Sequence, residues 1–366
     1  MNEIEIKQER IIKLLDEKSL DGIILAKNSN ISWLTGGMEN RIVYTSEEGA
    51  VKLIVLKDKI LVLTNNIEAE RVTKEEGLDK EDFQFTVNQW YERDLLDGLI
   101  RKYHLGGDGY FPQVDNLHEE IKQLRFSLLP EEIERYRLLG RETAKIMSGV
   151  CRAIKSGDTE NEVKGRLAQK LWSKNINPHL ILVGSDERLF DYRHPIAKDK
   201  EIKKYVMVVT CAEKYGLIVN LTRFVHFGEI AEGLMDKLRA VAKVNASFII
   251  NTRPGKKVAD IFQEGIRTYG EVGYPGQWKL HHQGGATGYE TRDYIATSKI
   301  NEVVQPNQAF AWNPSIKGVK SEDTIIVNET ENEIITDDPE WPKVEVEYNG
   351  EKISSSGILV GGKYNK

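Results

Sequence analysis

Two adjacent histidines followed by a glycine cluster are the residues of this sequence best suited to chemistry. They stand in the stretch Leu280-His281-His282-Gln283-Gly284-Gly285-Ala286-Thr287-Gly288-Tyr289-Glu290-Thr291-Arg292-Asp293. Neutral imidazoles ligate transition metals and carry protons near neutral pH, so the stretch is either a metal site or the remnant of one. On a strand, His281 and His282 would point to opposite faces, and at most one would enter a pocket. Arg193, Arg223 and Arg292 offer the paired N–H donors that hold a carboxylate, and Tyr289 and Trp312 suit an apolar wall. Each has a structural alternative: a hydrogen-bonded core histidine, arginines paired with acids such as Glu290 and Asp293, a tryptophan in the core. The glycines at 284, 285 and 288 make no nucleotide fingerprint, because the strand–turn–helix setting is missing.

Elements must position these groups. A chain of 366 residues exceeds the roughly 250–300 that one core serves, so two domains are expected. Residues 3–18 read as a helix, 22–26 as a buried strand, 49–56 and 59–63 as strands, and 66–76 and 92–103 as helices, which gives a small mixed sheet flanked by helices. The boundary falls at Leu128-Leu129-Pro130-Glu131-Glu132, where proline suits the first helical position and the acids suit the helix N-terminus. The expected domains are 1–128 and 129–366.

Beyond the boundary, Ile133, Tyr136, Met147, Val150 and Ile154 mark a long helix ending at Ser156-Gly157. Thr159 and Glu162 then form a capping box for the next helix. Strands are expected at 179–183, 206–211 and 216–222. A second helix pair, 231–249 and 258–269, is divided by Pro254-Gly255 much as the first is divided by Gly157; the spacing fits either a duplicated half or a coincidence of two helical hairpins. Further strands are expected at 309–312 and 324–327. A hairpin at 344–348 runs into Asn349-Gly350, a dipeptide suited to a type I′ turn.

Four segments of the second region form a set: 205–209 through Gly216-Leu217-Ile218-Val219-Asn220-Leu221-Thr222-Arg223, the stretch 280–293, Ala311-Trp312-Asn313-Pro314, and Lys320-Ser321-Glu322-Asp323-Thr324. Their order and spacing resemble the M24 family, the pita-bread proteins that include Xaa-Pro aminopeptidases, prolidases, methionine aminopeptidases and creatinase. Asn30-Ile31-Ser32-Trp33-Leu34-Thr35-Gly36 looks like that family's smaller domain. The resemblance implies an α+β fold, with a C-terminal pita-bread (creatinase/aminopeptidase-like) domain preceded by a smaller α/β creatinase-type domain. It also implies a homodimer.

Active members of the peptidase branch hold two divalent metals with two aspartates, a histidine and two glutamates. Matched on Gly216 and Thr222-Arg223, the resemblance puts Val209 and Asn220 at the aspartates, Gly285 at the histidine and Asn313 at one glutamate; Glu322 alone keeps its carboxylate. One carboxylate and two amides leave most of the charge of two divalent ions uncompensated, so no metal and no cofactor are expected. The family's later histidine corresponds to Arg292, and its substrate-facing histidine falls close to His194, in Tyr192-Arg193-His194-Pro195. Anchoring the loop at Pro195 is the structural alternative for His194.

Three functions follow. The first is a metal-independent hydrolase of a small amide, amidine or dipeptide-like substrate, with His194 as general acid or base and Glu322 orienting a water or a cationic group. In it Arg193, Arg223, Arg292, His281, His282, Tyr289, Trp312, Asn220 and Asn313 contact the substrate. The second is a non-catalytic peptide or metabolite binder on the same fold. The third is a metal-dependent Xaa-Pro aminopeptidase or dipeptidase with a non-standard ligand set that includes His281 or His282.

Composition narrows the partners to a small molecule or short peptide. The net charge of −6, from 51 basic and 57 acidic residues, contains no basic block, which argues against nucleic acid. No apolar run approaches the ~20 residues of a membrane span. Two cysteines, Cys151 and Cys211, are too few for a disulfide scaffold, and the charged start Met-Asn-Glu-Ile-Glu-Ile-Lys lacks the apolar core of a signal peptide. A cytoplasmic protein is the expectation.

Overall fold

The computed structural model describes residues 1–78, 82–93 and 95–361. It divides into two compact units: Met1–Glu131 with Tyr215–Leu217, and Glu132–Lys214 with Ile218–Lys366.

The first unit is a six-stranded mixed sheet. Its strands are β1 (Gly22–Lys27), β2 (Glu48–Leu56), β3 (Ile60–Asn65), β4 (Phe83–Asn88), β5 (Leu105–Gly107) and β6 (Asp115–Asn116), in the order β4-β3-β2-β1-β5-β6. Its helices are α1 (Glu3–Lys18), α2 (Asn28–Thr35), α3 (Ala69–Lys74), α4 (Leu96–Lys102) and α5 (His118–Leu124). The helices expected at 66–76 and 92–103 are shorter here, and Asp94 of the second lies outside the described residues. An Asn2–Glu5 capping box starts α1, which buries Ile4, Ile11, Leu14 and Leu15. Central β1 is apolar throughout Ile23–Ala26 because both its faces are covered. At its end the buried Asp108 carboxylate accepts from the Ala26 and Lys27 amides and from Asn30 Nδ2, fixing the turn into α2.

The second unit opens on α6 (Pro130–Arg152), then α7 (Glu160–Trp172), β7 (Asn177–Ser185), the short α8 (Arg188–Asp191), β8 (Tyr205–Lys214) and β9 (Leu217–Phe227). Next come α9 (Glu232–Asn251), α10 (Val258–Glu271), β10 (Gly284–Thr287), β11 (Tyr294–Ile295), β12 (Ala309–Trp312), β13 (Ser315–Ile316), β14 (Val319–Lys320), β15 (Asp323–Ile326) and β16 (Glu333–Ile334). The hairpin β17 (Lys343–Tyr348) and β18 (Glu351–Ser356) precedes β19 (Ile358–Gly361). Asn349 and Gly350 both have positive φ, as a type I′ turn requires. Two curved sheets, β19-β9-β8-β7 and β11-β10-β12-β15-β16, carry the site.

The helix–glycine–helix repeat is a true structural duplication. Gly157 N–H donates to Ile202 O and Gly255 N–H to Val304 O, both at 2.9 Å. In return Ile202 N–H donates to Asp158 O (2.8 Å) and Val304 N–H to Lys256 O (2.9 Å). Bridges Thr159–Glu201 and Lys257–Val303 complete the match. Both glycines have positive φ, 97° and 81°, a conformation that side-chain-bearing residues rarely adopt.

The halves meet through strand contacts. Thr222 N–H donates to Glu322 O (3.1 Å), while Asn220 N–H donates to Thr324 Oγ1 (2.7 Å), whose hydroxyl donates back to Asn220 O (3.0 Å). On the far side of the sheets, Phe248 stacks on Trp312 at 4.5 Å, and Phe310 on Trp312 at 5.6 Å, within the core built by α9 and α10.

Candidate active site

Strand β10 starts only at Gly284, so His281 and His282 precede it, between a 3-10 turn (Gln277–Leu280) and the sheet. Strand alternation therefore does not separate them, contrary to the expectation of opposite faces. Their rings stack at 4.4 Å, and His281 Nε2 lies 2.9 Å from His194 Nε2. The segment is clamped: Gln283 Nε2 donates to Trp278 O and His281 O, Tyr269 hydroxyl donates to Gln283 Oε1, and Asn313 N–H donates to Gln283 O.

The buried carboxylate of Glu322 is the electrostatic centre. Arg292 donates to Oε1 at 2.9 Å; Lys320 Nζ and the Thr222 hydroxyl approach Oε2 at 2.8 Å each. Burial pushes this carboxyl up, but the Lys320 ammonium and the Arg292 guanidinium overcome it and hold it at about 2. With both oxygens engaged, Glu322 is a counter-ion to two cations. It lacks the basicity expected of a residue that deprotonates water.

Lys320 was missed because a lone lysine in Lys320-Ser321-Glu322 carries no site signature; the available signal was its position two residues from Glu322, which in extended chain shares one face. Thr222 and Thr287 were missed for the same want of charge. Asn220 Nδ2 donates to Thr287 Oγ1 at 3.0 Å. The carbonyl oxygens Asn220 Oδ1 and Asn313 Oδ1 are buried without a partner.

The histidines are held neutral. Burial is the first cause for all three, pushing His281 to about 2 and His282 to about 4; Lys320 opposes a second charge on His281, and Arg292 does so on His282. His194 is exposed as a residue, yet its ring is partly desolvated, and Lys320 adds to lowering it from the ordinary imidazole value.

The other candidates differ in what they contact. Arg223 is fully buried, bonded to Asp323 Oδ1 (2.8 Å) and Thr336 O (2.7 Å), and is a structural ion pair. Trp312 is a core residue whose indole donates to Thr252 Oγ1 at 3.0 Å. Tyr289 is buried, with its hydroxyl 2.6 Å from Glu132 Oε1. Neither aromatic is free to form a ligand wall. Arg292 serves Glu322 rather than a ligand. Arg193 differs: it bonds Gln277 Oε1 at 2.8 Å, has no carboxylate partner among the described residues, and lines a cavity of ≈ 10 Å³ with His281 and Lys320. Cys211 is no nucleophile, since burial pushes its thiol up to about 12.

Comparison with known proteins decides the relationship. Residues 134–329 match Metallopeptidase family M24, and residues 7–138 match the Creatinase/Prolidase N-terminal domain. The chain belongs to metallopeptidase family M24. An Xaa-Pro dipeptidase of Pyrococcus furiosus is 23% identical over 360 residues, covering 88% of this chain and 94% of that protein. The crystal structure of the prolidase from Pyrococcus horikoshii OT3 superposes with a TM-score of 0.75 at 16% identity, over 90% of this chain and 98% of the other. The N-terminal domain of the FACT complex subunit SPT16 from Cicer arietinum shares the fold too, with a TM-score of 0.71 at 13% identity, over 92% and 96% of the two chains.

Val209, Asn220, Gly285, Asn313 and Glu322 stand at the five positions that the resemblance implied for ligands. Val209 is an apolar residue only 2% exposed. At Gly285 a Cβ would lie 2.1 Å from Tyr294 O and 3.0 Å from Ala296 N. Neighbouring backbone therefore fills the space that a side chain would need at Gly284 and Gly285. Of the remaining three, two are neutral amides and the third is Glu322, already neutralised.

Proposed function

We propose that this protein is a metal-independent hydrolase of a small, carboxylate-bearing amide, amidine or dipeptide-like substrate. The observation that carries the reading is the pairing of Glu322 with Lys320 and Arg292, which puts side-chain cations beside the one acid of the ligand positions. The donor set does not fit the family's dinuclear centre, because two more positive ions would face one spent carboxylate and two amides.

Arg193, with no acid of its own, anchors the substrate carboxylate. The unpartnered Asn220 and Asn313 oxygens accept N–H bonds from the amide or amidine. Neutral His194, whose Nε2 lies 2.9 Å from His281 Nε2, takes a proton from the attacking water. Because burial lowers His194, its basic form persists on the acid side of neutrality. The acid limb of kcat/KM is thus expected below the ordinary imidazole value of about 6.5; a limb above it removes His194 as the base. Arg193→Ala should raise KM roughly tenfold or more with kcat little changed, the size of a lost charge-assisted hydrogen bond.

Binding without turnover is the second reading, favoured by the same Glu322 pairing, which leaves the site no carboxylate base. A screen of proline dipeptides and guanidino or N-methylated amino acids, followed both by product formation and by calorimetry, separates the two. Turnover that survives chelator and falls at least about 100-fold in His194→Ala supports the hydrolase. Heat of binding without product supports the binder, and activity lost on chelation overturns metal independence.

A further inference from the structure

We propose that His194, His281 and His282 form a binding site for one divalent transition-metal ion, outside the family's ligand positions. The inference shares His194 and His281 with the hydrolase reading and uses none of the matched ligand residues.

Geometry carries it. One ligand nitrogen from each histidine lies within 4.8 Å of the other two. A tetrahedral ion with nitrogen ligands at about 2.0–2.1 Å separates them by roughly 3.3 Å. The 2.9 Å His194–His281 contact has to open slightly and the wider spacing has to close, which side-chain rotation can supply. His281 Nδ1 and His282 Nδ1 are buried without a partner; binding places each proton on Nδ1, turns the Nε2 lone pairs to the ion, and exchanges the His194–His281 Nε2 contact for two metal bonds. His194 is exposed and gives the ion a way in, and the Gln283 clamp holds the other two in place.

Ligand chemistry selects the ion. Three imidazoles suit zinc, cobalt, nickel or copper, whereas magnesium and calcium require oxygen. Lys320 and Arg292 repel a cation, but each is bonded to Glu322. Without a carboxylate to fix the Nδ1 protons, affinity is moderate; an outer partner of that kind is worth about 10–100-fold. An ion here occupies the His194 lone pair, so any His194-dependent activity is inhibited.

The test is a titration of the full chain, stripped with chelator, by cobalt(II), followed by visible d–d absorption and reversed by zinc. One ion per chain is expected, with binding weakened at least about tenfold in His194→Ala and in His282→Ala and unchanged in Asn313→Ala. Thermal melts verify that each variant is folded, and His282→Gln replaces any that is not. No absorption change, two ions per chain, or equal binding by the histidine variants and the parent overturns the proposal.

Discussion

Lys320→Ala is expected to melt well below the parent protein at neutral pH and to lose further stability at a less acidic pH. Glu322 is almost wholly buried, and Lys320 is the first of the two cations that keep it ionised. Removing one partner of a buried pair costs about 3–5 kcal/mol, because the remaining charge is left poorly compensated; Arg292 and Thr222 stay bonded, which favours the lower end. The pH dependence has a definite sign. In the parent the folded carboxyl titrates at about 2 against 4.5 when unperturbed, so its stabilisation is complete above 4.5 and is lost as pH falls toward 2. That difference is worth about 3 kcal/mol at 1.36 kcal/mol per unit. With Lys320 gone the depression shrinks, the contribution above the window is smaller, and acid removes it sooner. Melting temperature against pH for the two proteins measures both effects. A variant melting within about 2 °C of the parent at neutral pH would show that Lys320 does not hold this carboxylate.

Gly285→His, which restores the residue type of the family's ligand position, is expected to prevent folding rather than to create a metal site. The added Cβ meets Tyr294 O at 2.1 Å, and the Ala296 amide and Ile295 Cα follow at 3.0 and 3.1 Å. All three contacts are backbone, and Gly285 is paired on both sides, to Ile295 of β11 and to Ala311 of β12, so neither neighbour can yield without breaking a ladder. Overpacking a core usually costs about 1–3 kcal/mol; a clash with backbone between two paired strands belongs to the rare class above about 4 kcal/mol. Gly285→Ala isolates the Cβ term and should also be strongly destabilised. Soluble yield and thermal melts give the answer, and a well-folded Gly285→His with the parent's melting temperature would refute the steric account.

The architecture was legible because it rests on local signals that tertiary contacts do not reverse. The Thr159–Glu162 capping box, Pro130 opening α6, and Asn349-Gly350 turning β17 into β18 all follow from short-range stereochemistry. The order of strands and helices also carried the resemblance to M24. The site was less legible, since its properties depend on what faces each residue. Arg223 reads as a ligand anchor until Asp323 is found against it, and Trp312 as a wall until Phe248 stacks on it. His281 and His282 read as residues on alternate faces only if they lie on a strand, and β10 begins at Gly284. The clearance at Gly285 is set by β11, a two-residue strand with no periodicity to reveal it.

The reciprocal contacts between the duplicated halves separate two tasks within one small volume. Asn220 and Thr222 of β9 face Thr324 and Glu322 around β15, and the bonds that fasten the halves run through amide N–H groups, carbonyls and threonine hydroxyls. The buried Arg223–Asp323 ion pair joins the same two strands at 2.8 Å. The seam thus carries both uncharged bonds and a balanced charge pair, so the Glu322 cluster stands on a frame whose own charges are already compensated.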